Sequence, residues 1–302
     1  MSCSREAWFK STSWKANKKE NNSTHYRQLR AFRYFGFMIN LSGKTALVTG
    51  VSDNIGFGWH IAKTLQAAGA EIILSCHPRV QSILERYLEK DRYADSRALP
   101  FGKGEFKPKI LIPCDVTNDL EIADCFARIP QLDILIHSVA FSPEITKSHI
   151  DVSREAYLTA MSVSSYSLVS LARAAMPAMK DRVGAVVGLS YMASERIVPY
   201  YGGGMASAKA ALECDARMLS WFMGQEGHRV NMISAGPYAS RAAKAIGPID
   251  TMIEESAKRS PLGRPITAYE VANTAAFLCS DLASAITGEI IHVDCGYHAI
   301  GV

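Results

Sequence analysis

From residue 45 onward the chain alternates between two hydrophobic rhythms. Short apolar, β-branched runs read as strands: "TALVTG" (45–50), "EIILSC" (71–76), "KILIPCDV" (109–116), "LDILIHSVAF" (132–141), "GAVVGLSY" (184–191), "RVNMISAGP" (229–237) and "EIIHVDCG" (289–296). Longer segments between them carry apolar residues at helical spacing. In 58–70 the stripe is Ile61, Leu65 and Ala68; 118–128, 153–180, 205–224 and 268–280 are further helices. Strands that are apolar along their length are buried on both faces. Such strands alternating with helices predict an α/β fold, a doubly wound parallel sheet of the Rossmann-like kind, in a single domain over 38–302. The insertion 79–108 reads as a solvated helix plus loop. No internal repeat is visible.

Residues 1–37 follow neither rhythm. They hold eight Lys/Arg against Glu6 and Glu20, so the remaining chain is close to neutral and nothing points to a nucleic-acid groove. Such a basic, acid-poor leader is either an organelle transit peptide or an extension ahead of Met38. The second is preferred, because Met38 stands where the folded pattern opens. An apolar content of 48% is ample for a core and too high for a disordered chain. No apolar run reaches the length of a membrane span. The seven cysteines show neither C-x-x-C nor metal-ligand spacing, which suggests a reducing compartment and no bound metal.

Candidate chemistry collects at strand ends. Gly50, Gly56 and Gly58 lie between the first strand and the first helix. A turn without Cβ atoms lets a pyrophosphate approach the backbone and meet the helix N-terminal N–H groups. At the first βα junction of an alternating chain, this is a dinucleotide site. Asp115 and Val116 end the third strand, where they would bond and cover an adenine; Ser138 and Ala140 end the fourth, beside the ribose. After the second strand comes "SCHPR", with no acid to read a ribose and with Arg79 nearby, so NADPH is not excluded. Glu85 and Glu89 are the expected partners that would occupy Arg79.

The stretch "YYGGGMASAKAALE" carries the remaining chemistry. Consecutive glycines cost about 1 kcal/mol each in a helix. Tyr201 therefore belongs to the approach loop and Lys209 to the helix, which allows a spacing of eight to serve one site. Tyr191, at the end of the fifth strand, faces the same crevice. A carbonyl reductase of the short-chain dehydrogenase type would need Tyr-x-x-x-Lys, which is missing here; a dinucleotide-binding regulator without turnover would not need the pair.

With Tyr191, Tyr201 and Lys209 at these spacings, the chain resembles the NADH-dependent enoyl-acyl-carrier-protein reductases of the short-chain dehydrogenase/reductase superfamily. The likeness covers about 39–300. "YGGGM…AKAALE" and "SRAAKAIGPIDTMIE" are similar to the plant, apicomplexan and chlamydial branch; "MGQEGHRVN" and the short segment 115–132 look more like the common bacterial one. Departures are His77 where the plant branch has Trp, Ala140 where the common bacterial branch has Gly, and Tyr238 where an aliphatic is usual.

The resemblance implies reduction of trans-2-enoyl thioesters, with Tyr191, Tyr201 and Lys209 catalytic. It implies NADH bound by Gly50, Asn54, Ile55, Gly56, His77, Asp115, Val116, Ser138, Val139, Ala140, Lys209, Ala235 and Gly236. It implies an acyl site of Phe141, Tyr191, Tyr201, Ala239 and Ala242 under a lid over 234–247, whose Arg241 and Lys244 would meet an acidic acyl carrier protein. It further implies a homotetramer in a bacterial cytoplasm, or in a plastid-type organelle if the leader is a transit peptide.

Overall fold

Each apolar run becomes a strand. The computed structural model describes residues 39–301; the leader and its boundary at Met38 lie outside them. The strands are β1 (Thr45–Thr49), β2 (Glu71–Cys76), β3 (Ile110–Pro113), β4 (Ile134–His137), β5 (Ala185–Ser190), β6 (Arg229–Ala235) and β7 (Ile290–Val293). They form one sheet in the order β3-β2-β1-β4-β5-β6-β7, every neighbouring pair parallel. The predicted doubly wound α/β sheet is what forms.

Helices cover both faces. On one side α3 (Asp119–Ala127), α5 (Ser167–Met179) and α6 (Met205–Gly224) pack on Leu47, Leu135, Val186 and Val230. On the other, α1 (Phe57–Ala67) and α8 (Ala268–Cys279) pack on each other and on the strands. Ala46, Val48, Ile72 and Leu74 alternate with the first set and are equally buried. Each large apolar side chain so enclosed contributes about 1.5–3 kcal/mol.

Local chemistry sets the helix ends. The Asn118 side chain accepts from the Leu120 and Glu121 N–H groups to start α3. Thr267 and Glu270 form a reciprocal capping box on α8. The predicted helix 153–180 forms as one uninterrupted run, residues 154–179, with a π-helical turn inside it. The run comprises α4 (Arg154–Met161), the π-helical turn at Ser162–Tyr166, and α5 with Pro177 inside it. Serines accompany the π turn: Ser167 Oγ turns back to the Val163 carbonyl at 2.7 Å, while Ser164 and Ser165 bond to neighbouring elements. Helix α7 (Ile249–Arg259) adds to the predicted set; Ile249, Met252 and Ile253 recur on it at helical spacing, but of these only Ile249 is buried.

The segment 79–108 forms the predicted helix and stays largely solvated, but a few buried side chains anchor it to the domain. Helix α2 (Gln81–Glu89) buries Leu84, and the fully buried Phe106 packs edge-on against Trp59 of α1 with ring centroids 4.9 Å apart. Arg97, also buried, donates to the carbonyls of Tyr87 and Lys90 and to Glu105. Polar residues on its outer side conceal this anchor in the sequence. Arg79 does not take the expected partners: Gln81 Nε2 takes Glu85 at 2.8 Å, and among the described residues no ion pair joins Arg79 to Glu85 or Glu89. Phe106→Ala is expected to destabilise the fold by about 3–5 kcal/mol, read from urea unfolding; a change within about 0.5 kcal/mol would mean that the segment is an appendage.

Candidate active site

Parallel strands place all their carboxyl ends at one edge, and the strand order reverses between β1 and β4. Gly50 and Ser138 follow those two strands, whose last residues Thr49 and His137 are in register. Gly50 has φ +73°, and a Cβ there would collide with the Ser138 carbonyl. Only glycine closes this corner. Helix α1 then begins at Gly56 with neither a side-chain cap nor an acid in its first turn. The N–H groups that follow Gly56 are left for an anion.

Asp53, missed in the sequence, shapes the corner. Its buried carboxylate accepts from the Ile55 N–H at 2.9 Å and the Gly56 N–H at 2.6 Å. The available signal was an Asp two and three residues ahead of the groups it binds, the pattern of an Asx turn. Asn54 is partly exposed and Ile55 exposed along the rim.

Two other predicted residues meet at the β2 and β3 ends. His77 Nε2 lies 3.4 Å from Asp115 Oδ2, and His77 Nδ1 accepts the Arg79 N–H. Partial burial raises the Asp115 carboxyl, but the Thr117 N–H and hydroxyl, with His77, outweigh it and hold it below its ordinary range. Val116 packs against the core margin. Past β4, Ser138 and Val139 are partly buried, while Ala140 and Phe141 are exposed. One hydroxyl grips Phe141: Ser164 Oγ accepts from its N–H at 2.9 Å and donates to its carbonyl at 3.0 Å.

Ala235 and Gly236 are buried at the β6 end, where a Cβ on Gly236 would crowd Asp294. Ala239, Arg241, Ala242 and Lys244 are exposed on the turn that follows, which forms a 3₁₀ segment at Ala243–Ile246. The Tyr238 ring sits 5.0 Å from that of Phe57 and ties the start of this turn to α1.

The two tyrosines meet, and Lys209 lies on the helix that follows. Helix α6 starts only at Met205, so Tyr201 is on the approach loop. Gly202 and Gly203 donate to the Ile145 and Lys147 carbonyls, and Ser142 Oγ donates to the Gly203 carbonyl at 2.7 Å. So held, the Tyr201 ring meets Tyr191 edge-on at 5.0 Å, while Tyr200 points to solvent. The Tyr201 hydroxyl has no hydrogen-bond partner among the described residues. Burial, and then the Tyr191 phenol beside it, push Tyr201 above its ordinary range. Tyr191 is raised by burial and by Tyr297 and Asp294. Both phenols therefore remain O–H donors at neutral pH.

Lys209 is buried on α6 and donates to the Leu189 carbonyl at 2.7 Å. An ammonium has three N–H donors; the others are left for a ligand. Burial lowers Lys209 to about 8, against the opposing charge of Glu213. A neutral phenol donor, a buried lysine and an anion-accepting helix end suit hydride transfer to a substrate that becomes negatively charged.

The family profile described as Enoyl-(Acyl carrier protein) reductase matches residues 50–298. The chain belongs to this family. It is 47% identical over 291 residues, covering 88% of this chain and 74% of the other, to the chloroplastic enoyl-[acyl-carrier-protein] reductase [NADH] of Arabidopsis thaliana. It is 41% identical over 269 residues, 87% and 94% of the two chains, to the corresponding reductase of Aquifex aeolicus. The crystal structure of the Plasmodium berghei reductase with triclosan superposes with a TM-score of 0.81 at 36% identity, over 86% of this chain and 99% of that one.

In this enoyl-acyl-carrier-protein reductase scaffold Gly203 decides where Tyr201 stands. Its φ is +58°, and an added Cβ would strike the Glu144 backbone. Gly43, at φ +78°, has open space around it. Gly203→Ala should thus lose clearly more than the ~1–2 kcal/mol of left-handed strain expected for Gly43→Ala, measured side by side in urea; equal losses would show that the loop gives way freely.

Proposed function

We propose that this chain reduces the trans-2 double bond of enoyl thioesters on acyl carrier protein with NADH, the last reductive step of each type II fatty acid elongation cycle. The observation that carries the roles of individual residues is the unpartnered Tyr201 phenol facing Tyr191, with the buried Lys209 one turn inside α6.

The chain's groups fit the cofactor. The first-turn N–H groups of α1 beyond Gly56 and the glycine corner suit a diphosphate, which Gly50, Asn54, Ile55 and Gly56 would border, with the Ile55 and Gly56 N–H groups given to Asp53. His77, Asp115 and Val116 would take the adenine end. Ser138, Val139, Ala140, Lys209, Ala235 and Gly236 would take the nicotinamide ribose and ring. NADH, when bound, supplies the hydride that goes to the β-carbon of the enoyl group. As charge grows on the thioester oxygen, the Tyr201 O–H donates to it and stabilises the enolate, and it can pass on its proton. Lys209 would hold the ribose hydroxyls and add a positive field. Phe141, Tyr191, Ala239 and Ala242 would line the acyl chain beneath the 234–247 lid, with Arg241 and Lys244 toward the acidic carrier. Arg79, without an ion pair among the described residues, leaves NADPH as the weaker alternative; the [NADH] in the relatives' names supports the first choice.

We also propose a homotetramer. Leu158, Tyr166, Met218, Trp221 and Phe222 stand exposed on α4, the π turn and α6, a surface that suits a second copy. A monomeric mass in light scattering would overturn it. No described helix is long and apolar enough to cross a membrane. The proposed setting is a bacterial cytoplasm, with a plastid-type organelle as the alternative.

Tyr201→Phe should cut kcat about 10²-fold or more with NADH affinity unchanged by fluorescence titration; wild-type turnover would remove Tyr201 from this role. Lys209→Ala should weaken NADH binding as well. The pH profile follows from Lys209. An amine is charged below its pKa, and this one lies at about 8. With the charge required, kcat/KM of the free enzyme stays level below that value and falls as pH rises through it, about tenfold per unit. A profile level up to about pH 10, the range of an ordinary lysine, would show that the charge is not required.

A further inference from the structure

Glu213 is a buried carboxylate outside the roles just assigned. It lies on α6 one turn beyond Lys209, and only 3% of it is exposed. A carboxylate so placed is costly unless its oxygens are satisfied. Its Oε1 accepts from Ser190 Oγ, on the last residue of β5, and from Ser194 Oγ at 2.7 Å. Lys209 binds the Leu189 carbonyl immediately before. Two side chains of α6, one helical turn apart, thus hold the end of β5 on both sides of Tyr191. Ser194 Oγ also lies 3.1 Å from the Tyr191 carbonyl, but its one proton goes to the nearer, charged acceptor.

No direct ion pair joins Glu213 to Lys209 among the described residues, so the lysine head stays free for a ligand. The groups around Lys209 leave Glu213 as its counter-charge. From β4 comes His137, which burial and then Lys209 itself pull down to about 3, so it is neutral. From β5 comes the Leu189 carbonyl. From the loops come Tyr191 and Tyr201, both kept neutral by burial. Asp294 acts on Tyr191, and Glu213 is the carboxylate that acts on Lys209.

We propose that Glu213 is a positioning residue of this site: it fixes the β5 end that carries Tyr191, and it supplies the negative charge that keeps buried Lys209 an ammonium. The proposal rests on the roles given above to Tyr191 and Lys209.

Two variants separate its halves. Glu213→Gln keeps the shape and removes the charge. In the cofactor-free protein with ¹³C-labelled lysine, the Lys209 Cε resonance, assigned by its loss in Lys209→Arg, should titrate at least about 0.5 pH unit lower than in the wild type. The alkaline limb of kcat/KM should move with it, while kcat near pH 6 stays within about threefold. The double variant Ser190→Ala/Ser194→Ala keeps the charge and removes the grip. It should leave the limb in place and raise KM for the enoyl thioester about fivefold or more. An unmoved Lys209 titration in Glu213→Gln overturns the charge role. A wild-type KM in the serine variant overturns the proposal by itself, whether or not Glu213→Gln folds. If the wild-type chain fails to reduce enoyl thioesters, the functional reading falls, yet the lysine titration in the cofactor-free protein still decides the role of Glu213.

Discussion

All strands of this sheet run the same way, and the site depends on that. A parallel strand must be followed by a crossover, so every strand end opens at one edge and every helix returns along a face. Residues far apart in the chain are thereby neighbours. Gly50 abuts Ser138, His77 reaches Asp115, and Lys209 grips Leu189. The opposite edge is pinned differently: Arg182 pairs with the buried Asp133, which also accepts the Thr45 N–H at 2.8 Å. One end is closed by charge and hydrogen bonds, and the other is left open for chemistry.

The spacing of eight between Tyr201 and Lys209 follows from where α6 begins. The glycines before Met205 adopt left-handed conformations at Gly203 and Gly204 and bond to the 142–147 loop. The tyrosine is therefore delivered by a loop against Tyr191, and the lysine by a helix against β5. The two side chains thus have independent supports, one on each side of the β5 end that leads into Tyr191.

Burial favours the proposed roles of the two phenols and works against that of the lysine. It raises both phenols, which keeps them donors, and it lowers Lys209 toward neutrality. Glu213 opposes the second effect. The same low polarity that makes an enolate hard to form without help makes each hydrogen bond aimed at it more effective.

The alternation of apolar strands and helices, the glycine corner, and the placing of Tyr191 at a strand end, Tyr201 on a loop and Lys209 in a helix were legible in the sequence. Each rests on a local rule: period, missing Cβ, or residue type at a strand end. What stayed hidden depends on neighbours distant in sequence. The burial of Phe106 under Trp59 arises because α1 lies beneath a segment whose own pattern looks polar. The π turn at Ser162–Tyr166 comes with serines whose partners lie on other elements. Arg79 looked paired because acids were close in sequence, yet Gln81 sits nearer to Glu85 in space. Asp53 and Glu213 read as ordinary acids, and only the fold buries them. Patterns along one chain fix local conformation and which face is apolar. Which polar group is desolvated, and what compensates it, depends on contacts that exist only once the sheet has closed.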